Sequence, residues 1–339
     1  MPPRPASPGT VETVDPPLVR VLLAFLSVYL IWGSTYLAIR WAIETIPPFT
    51  MAGMRFLIAG SLLLLWARAR GVPRPTGAQL RDGVVAGALL LLGGNGAVVW
   101  AEQWIDSGLA ALLIATVPFW MVLLGWLWGG GPRPSRWAWV GIGWGLFGIW
   151  LLVGGGGFGV LEGPALVGGA VILAGSVSWA VGSIHSRRAA VPAAPRMATA
   201  IQMLAGGTLL TAAGALAGEW SRWDPGATSL RSALSLAYLI VFGGMVAYSA
   251  YIWLLRVSTP GRVSTYAYVN PVVALLLGWL LADEPMGART LIAAGVILSA
   301  VVLINRVSRS PRGRRGRAPA VAGVATRTDA ERPDTSGDP

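Results

Sequence analysis

The 339-residue chain contains no cysteine, a single histidine (His185), no lysine among its 26 basic residues, and only 12% charged residues in all. Each shortage removes a class of chemistry. Without cysteine there is no disulfide framework, no thiolate nucleophile and no Cys-ligated metal. One histidine cannot build a multi-histidine metal centre, so the sequence predicts no metal and no cofactor. The charged fraction is about half that of an ordinary soluble domain, while 54% of the residues are hydrophobic. Most of the chain must therefore face lipid or other apolar helices. The net charge of +11 does not point to nucleic acid, because the arginines sit between and after the apolar runs and not along one face. Arg-rich loops beside apolar spans instead mark the cytoplasmic side of a membrane protein.

A spanning helix needs about 20 apolar residues. Ten stretches qualify, near residues 21–41, 48–67, 83–104, 109–128, 137–154, 164–184, 197–216, 233–255, 263–282 and 290–304. The last is short and can begin earlier. Their connections are brief and several carry breakers, as at Pro47-Pro48 and Pro132-Arg133-Pro134. In lipid such spans must be helices, since each backbone amide has to be bonded within its own segment. The expectation is an all-α integral membrane protein with ten transmembrane helices. With the N-terminus cytoplasmic, eleven arginines fall in internal loops and four in external ones, which sets the orientation and returns the C-terminus to the cytoplasm. No small-residue cleavage site follows the first apolar run, which reads as a retained helix.

The chain also repeats itself. Trp32 and Trp179, Arg40 and Arg187, and Gly60 and Gly207 are each separated by 147 positions. Trp100 and Trp253, Gly108 and Gly261, and Pro118 and Pro271 are each separated by 153. Five spans per half is an odd number, so the halves cross the membrane in opposite senses. That is the inverted-repeat plan of secondary transporters, with a substrate site near the midplane. The expected organisation is a cytoplasmic segment 1–20, a first repeat 21–154, a connecting loop 155–163, a second repeat 164–305, and a basic, disordered cytoplasmic tail 306–339. The tail's arginines suit anionic headgroups or a plain stop-transfer anchor.

Candidate cavity-lining residues are the polar and aromatic side chains inside these apolar runs. In the first span, Trp32-Gly33-Ser34-Thr35-Tyr36 brings hydroxyls to mid-helix, where Ser34 either lines a cavity or bonds back to its own helix. A phenol at membrane depth, Tyr36, needs a partner or water. Arg55 lies seven residues into the second span, MAGMRFLIAG, and either snorkels to the surface or faces a polar interior; its repeat counterpart Gln202 is also polar. Asn95, within Gly93-Gly94-Asn95-Gly96, supplies an amide at depth. Glu102 reads as an interfacial charge in preference to a proton-coupling carboxylate; deep carboxylates are lacking, so proton antiport through a buried acid is not supported and the coupling stays open. Tyr248 and Tyr251 form an i, i+3 pair, and Tyr266 and Asn270 share a face just before Pro271. Pro118 and Pro271 mark two helix breaks, since proline deletes a helical hydrogen bond and frees carbonyls. Trp32, Trp100, Trp179 and Trp253 are paired across the repeats, and each suits cavity lining or helix packing equally. The run Gly143-Trp144-Gly145-Leu146-Phe147-Gly148 matches GxGxxG, but no strand precedes it and helix packing explains it better.

WGSTYLAIRWA, PPFTMAGMRFLIAG and YAYVNPVVALLLG together resemble the EamA family of the drug/metabolite transporter superfamily. GGNGAVVWAEQ and SVSWAVGS look most like its YedA-type inner-membrane members. The resemblance covers roughly residues 20–305, and its motifs fall in the right order. It implies two inverted repeats, a central cavity lined by spans 1, 3, 4, 6, 8 and 9 with 5 and 10 peripheral, and export of amino acids or related metabolites from the cytoplasmic membrane. Expected partners are a small-molecule substrate and the lipid bilayer, with a homodimer as a further option. Thr116-Val117-Pro118 stands where the second half has Tyr-Val-Asn-Pro, so the halves are not chemically equivalent. Two rival classes are an intramembrane lipid-modifying enzyme and a non-transporting sensor or assembly partner. The enzyme lacks a convergent catalytic set: the only adjacent carboxylates are Asp283-Glu284, beside Pro285 in a hairpin.

Overall fold

A computed structural model of the chain describes residues 17–128, 130, 133–153, 162–190, 194–258, 260–263 and 265–308. The expected connecting loop and basic tail lie essentially outside these residues, as does Pro132. Described residues form long helices and no strand. These are α1 (Leu18–Ala42), α2 (Pro48–Ala69), α3 (Gly77–Ala101), α4 (Ser107–Leu127), α5 (Arg136–Val153), α6 (Pro164–Arg188), α7 (Pro195–Leu216), α8 (Leu230–Val257), α9 (Tyr266–Ala282) and α10 (Ala288–Ser308). Among the described residues seven of them (α1–α4 and α6–α8) are long and apolar enough to cross a membrane, and shorter apolar helices cover Val269–Ala282 and Ala288–Ala300.

Helix ends depart from the apolar runs where capping chemistry intervenes. Helix α3 begins six residues before its apolar stretch because Thr76 and Gln79 form a reciprocal capping box. Its other end stops at Ala101, leaving Glu102 in a turn. Ser229 caps α8 by accepting from the Ser232 amide, which starts that helix at Leu230. Helix α4 is interrupted at Ala115-Thr116, just before Pro118, whereas α9 carries Pro271 inside a continuous helix.

The two halves interleave. Helix α2 packs along α7, α3 against α6, α4 against α9, and α5 against α10. Repeat-mate glycines set the α2–α7 approach: a Cβ on Gly60 would lie 3.0 Å from the Leu204 amide, and one on Gly207 2.8 Å from the Leu57 amide. Large side chains such as Leu22, Leu26, Ile58, Leu62, Trp144 and Trp150 remain exposed on the outside. That outward apolar surface suits acyl chains and not water.

Candidate functional site: an aromatic and polar cavity

Three of the helices are not regular. α1 is π-helical over Ser27–Ile31, α3 over Ala88–Asn95 and α8 over Leu239–Tyr248. The last two coincide under the repeat, since the 153-residue offset carries Asn95 onto Tyr248. A π-bulge widens the turn and releases backbone carbonyls from the regular ladder, and such bulges concentrate at functional sites. Each of these three has a carbonyl held by a side chain from a neighbouring helix. Ser178 Oγ on α6 donates to Leu89 O (2.8 Å), and Trp32 Nε1 on α1 donates to Gly243 O (3.3 Å). On α9, Asn270 with its amide nitrogen turned to the carbonyls donates to Tyr29 O (3.0 Å), Val28 O (3.3 Å) and Tyr266 O (3.2 Å).

Where the bulged helices converge there is a cavity of about 60 Å³, room for on the order of four waters. Its wall includes Trp32, Thr35, Tyr36 and Ile39 from α1, Arg55 and Phe56 from α2, and Leu91, Gly94, Asn95 and Val98 from α3. Ile114 of α4, Trp179 of α6, Tyr248 of α8 and Tyr266 of α9 complete it. Trp32 is the hub of the aromatic wall. Its ring meets Tyr251 at 4.9 Å, Trp179 edge-on at 5.6 Å and Tyr266 edge-on at 5.6 Å. These separations and edge-to-face angles are the ones aromatic quadrupoles favour.

Of the residues singled out in the sequence, Trp32, Tyr36, Arg55, Asn95, Trp179, Tyr248 and Tyr266 share this wall. The others sit elsewhere. Ser34 Oγ donates to Ile31 O and shares a 2.6 Å contact with the Tyr238 hydroxyl. Gln202 stands behind Tyr248, accepting its hydroxyl at 2.8 Å, and Tyr251 bonds Ser183 (2.9 Å) and receives Trp179 Nε1 (3.2 Å). Trp100 packs edge-on against Trp104 at 4.6 Å. Asn270 is buried against α1, away from the lining. Apolar wall members (Ile39, Phe56, Leu91, Val98 and Ile114) went unremarked in the sequence because they look like core. The i, i+3/i+4, i+7 spacing of Trp32, Thr35/Tyr36, Ile39 and of Leu91, Gly94/Asn95, Val98 was the available signal.

The polar atoms facing this region are underused. Arg55 is only 3% exposed, and its Nε and Nη1 have no hydrogen-bond partner, though its guanidinium sits 4.7 Å from the Phe56 ring centre. Asn95 Oδ1 is likewise unpartnered. Room for the guanidinium comes from Gly243 in the α8 bulge, where a Cβ would lie 2.8 Å from Nη2. Glu102 is not the interfacial charge its position suggested. It is 2% exposed, and both carboxylate oxygens are buried without a partner. The turn after Ala101 folds it inward, so a buried carboxylate lies at the end of that helix.

Close to Glu102 lies a charged cluster joining the ends of α1, α4 and α9. Arg40 pairs with Asp106 (3.3 Å) and Glu284 (3.6 Å), and Glu284 accepts from the amides of Ser107 (2.9 Å) and Gly108 (3.1 Å) at the start of α4. Burial pushes the Asp106 carboxyl above the usual carboxylate range, with Arg40 opposing and Glu284 reinforcing that shift. Asp283, at φ 51°, makes the turn that aims Glu284 back. On the other half, Glu219 accepts from the amides of Phe49 (3.2 Å) and Thr50 (2.7 Å) at the start of α2. In the GxGxxG run, a Cβ on Gly145 or Gly148 would strike Phe119 or Ile297, which is close helix packing.

The sequence matches the model of the EamA-like transporter family twice, over residues 19–154 and 166–306. It is 44% identical over 283 residues to the inner membrane transporter YedA of Escherichia coli, covering 83% of this chain and 89% of that one. It is 24% identical to the transporter YoaV of Bacillus subtilis, covering 84% of this chain and 97% of the relative. A chain of known crystal structure superposes with a TM-score of 0.61 at 20% identity, covering 86% of this chain and 99% of the other, which is a likeness of fold.

Proposed function

The chain belongs to the EamA-like transporter family, and on that premise we propose that it exports a small metabolite, an amino acid or related compound, by alternating access through the aromatic and polar cavity. It is a membrane transporter and not an enzyme, and a multi-pass protein of the bacterial inner membrane type. In this reading all ten long helices span the bilayer as two inverted five-helix repeats, with both termini cytoplasmic; the excess of arginines in the even-numbered connections supports that orientation.

The observation that carries the proposal is the meeting of three π-bulged helices at one cavity with unpartnered polar atoms. Regular helices of this composition would simply pack shut. Bulges let α1, α3 and α8 bend about the site, and their carbonyls are anchored by side chains from across the bundle. The cavity is only partly enclosed, so cargo has a route to its wall. Trp32, Trp179, Tyr248 and Tyr266 offer ring faces, and Tyr36, Arg55 and Asn95 offer polar contacts. Tyr251, Gln202 and Asn270 hold members of that set in place, Tyr251 through Trp179, Gln202 through Tyr248 and Asn270 through the Tyr266 carbonyl.

The test is efflux from proteoliposomes loaded with a panel of amino acids and related metabolites. At least one compound should show saturable, protein-dependent efflux that falls at least tenfold in Trp32→Ala and less in Tyr266→Phe. Absence of protein-dependent flux across the panel refutes the transport reading for these substrates, and full flux in Trp32→Ala refutes the site.

A further inference from the structure

The cavity wall carries a positive charge and no negative one. Among the described lining residues Arg55 is a cation, and no acid stands with it. A guanidinium keeps its proton inside a protein, so the charge persists at a 3%-exposed position with Nε and Nη1 unpartnered. The Phe56 ring, centred 4.7 Å from the guanidinium carbon, offers a quadrupole but no charge. Among the described residues Arg55 joins no ion pair. Glu102, whose field reaches it, makes no bond to it: both Glu102 oxygens are unpartnered, and burial together with the Glu284 charge favours the neutral acid. A buried cation that its own protein leaves uncompensated draws an anion from solution.

We propose that Arg55 is the seat of a monovalent-anion site, filled by a free inorganic ion of the halide class. The space suits such an ion: a cavity of about 60 Å³ holds one halide with a few waters, and it is only partly enclosed, so the ion can enter from solvent. Most other donors on the wall are already spent. Thr35 donates to Trp32 O (2.7 Å), the indoles of Trp32 and Trp179 to Gly243 O and to the Tyr251 hydroxyl, and Tyr248 to Gln202. The Asn95 amide and the Tyr36 hydroxyl share the wall with Arg55 and can complete the ion's contacts. Gly243, in the α8 bulge, leaves room beside the guanidinium, since a Cβ there would lie 2.8 Å from Nη2. One positive charge selects one negative charge, because a divalent ion would bring an uncompensated charge into the same dry space. The apolar members Ile39, Phe56, Leu91, Val98 and Ile114 cannot replace water of hydration, so bromide and nitrate, which are cheaper to dehydrate, should bind more tightly than chloride. The inference goes beyond transport and does not depend on it, because the chain carries this charge with or without cargo.

The probe is sodium chloride exchanged for sodium gluconate at constant ionic strength, with the purified full chain melted in detergent and followed by tryptophan fluorescence. The wild type should gain melting temperature saturably, by about 2 to 4 °C at a chloride concentration about tenfold above its Kd. In Arg55→Gln that gain should vanish, and the difference between the two proteins removes general salt effects. Arg68→Gln, which deletes an exposed arginine near the end of the same helix, should keep the gain. Gly243→Ala retains every charge but sets a methyl group against Nη2, and should weaken chloride binding about tenfold; it tests the site even if Arg55→Gln does not fold. Bromide and nitrate should saturate at lower concentration than chloride, and sulfate should give no Arg55-dependent gain. Benzoate represents the other source of the same chemistry, an organic carboxylate. No chloride-dependent gain in the wild type, an undiminished gain in Arg55→Gln or Gly243→Ala, or a gain with benzoate and none with chloride overturns the proposal. Efflux of the metabolite panel is a separate readout, so either reading can fail while the other stands.

Discussion

Removing the Glu219 carboxylate should unlatch the start of α2. Gly218, at φ 69°, ends the preceding helix in a left-handed turn and points Glu219 back into the bundle, where it is 4% exposed. Helix α2 begins at Pro48, behind Pro47, and has no side-chain cap of its own, so the amides of Phe49 and Thr50 lack intrahelical acceptors. Glu219 supplies the missing acceptor from 170 residues away, taking both amides and the Thr50 hydroxyl (2.8 Å). In Glu219→Ala a buried and a half-buried amide lose a charged acceptor. Allowing for partial relaxation, the loss is about 3 kcal/mol, since bonds to charged groups contribute roughly 1.5–3 kcal/mol each. For a bundle of this size that corresponds to a melting temperature about 6 to 12 °C lower. Glu219→Gln, which keeps one accepting oxygen, should lose about half as much, and Thr50→Val only about 1 kcal/mol. Adding Thr50→Val to Glu219→Ala should cost almost nothing more, because the shared partner is already gone. Intrinsic tryptophan fluorescence during heating in detergent reads all four variants. A melting point for Glu219→Ala within about 1 °C of the wild type would refute the capping argument.

Substitutions at two further positions separate roles that resemble one another. Asn270→Asp places an acceptor against the carbonyls of Val28, Tyr29 and Tyr266, whereas Asn270→Ala merely removes the donor; the Asp variant should therefore melt lower than the Ala variant, and the reverse order would show that the amide does not bridge the α1 bulge. At Asp106 burial outweighs Arg40 and raises the carboxyl, so folding favours the neutral form. That contribution is fully present below the unfolded-state value and is lost as pH rises through the folded one. Asp106→Asn, neutral at every pH, should keep or raise the melting temperature at neutral pH despite losing the Arg40 contact, and a clear drop there would mean that the ion pair outweighs burial.

The helices and most of the aromatic wall were legible because they follow from composition: long apolar runs must be helical in lipid, and Trp32 and Trp179 repeat across the halves. What escaped were features set by backbone irregularity. Nothing in Ser27–Ile31 announces a π-bulge, so Asn270 looked like a free amide when its nitrogen is spent on the carbonyls that bulge releases. Glu102 looked interfacial because it ends an apolar run, and only the turn after Ala101 carries it inward. Likewise Asp283-Glu284 read as a turn cap in its own hairpin, whereas Glu284 caps α4 from across the molecule. Long-range capping by Glu219 and Glu284 cannot be seen in a linear sequence, since each acts on a helix more than 160 residues away.

The central claim, that this cavity opens to each side of the membrane in turn, can be tested directly because the chain has no cysteine to remove. A single Ile114→Cys variant places one thiol on the cavity wall. In vesicles of defined orientation, treated with a membrane-impermeant maleimide from one side at a time, alternating access predicts labelling from both sides, slowed on each by a transported compound. Labelling from one side only, or from neither under turnover conditions, would contradict it.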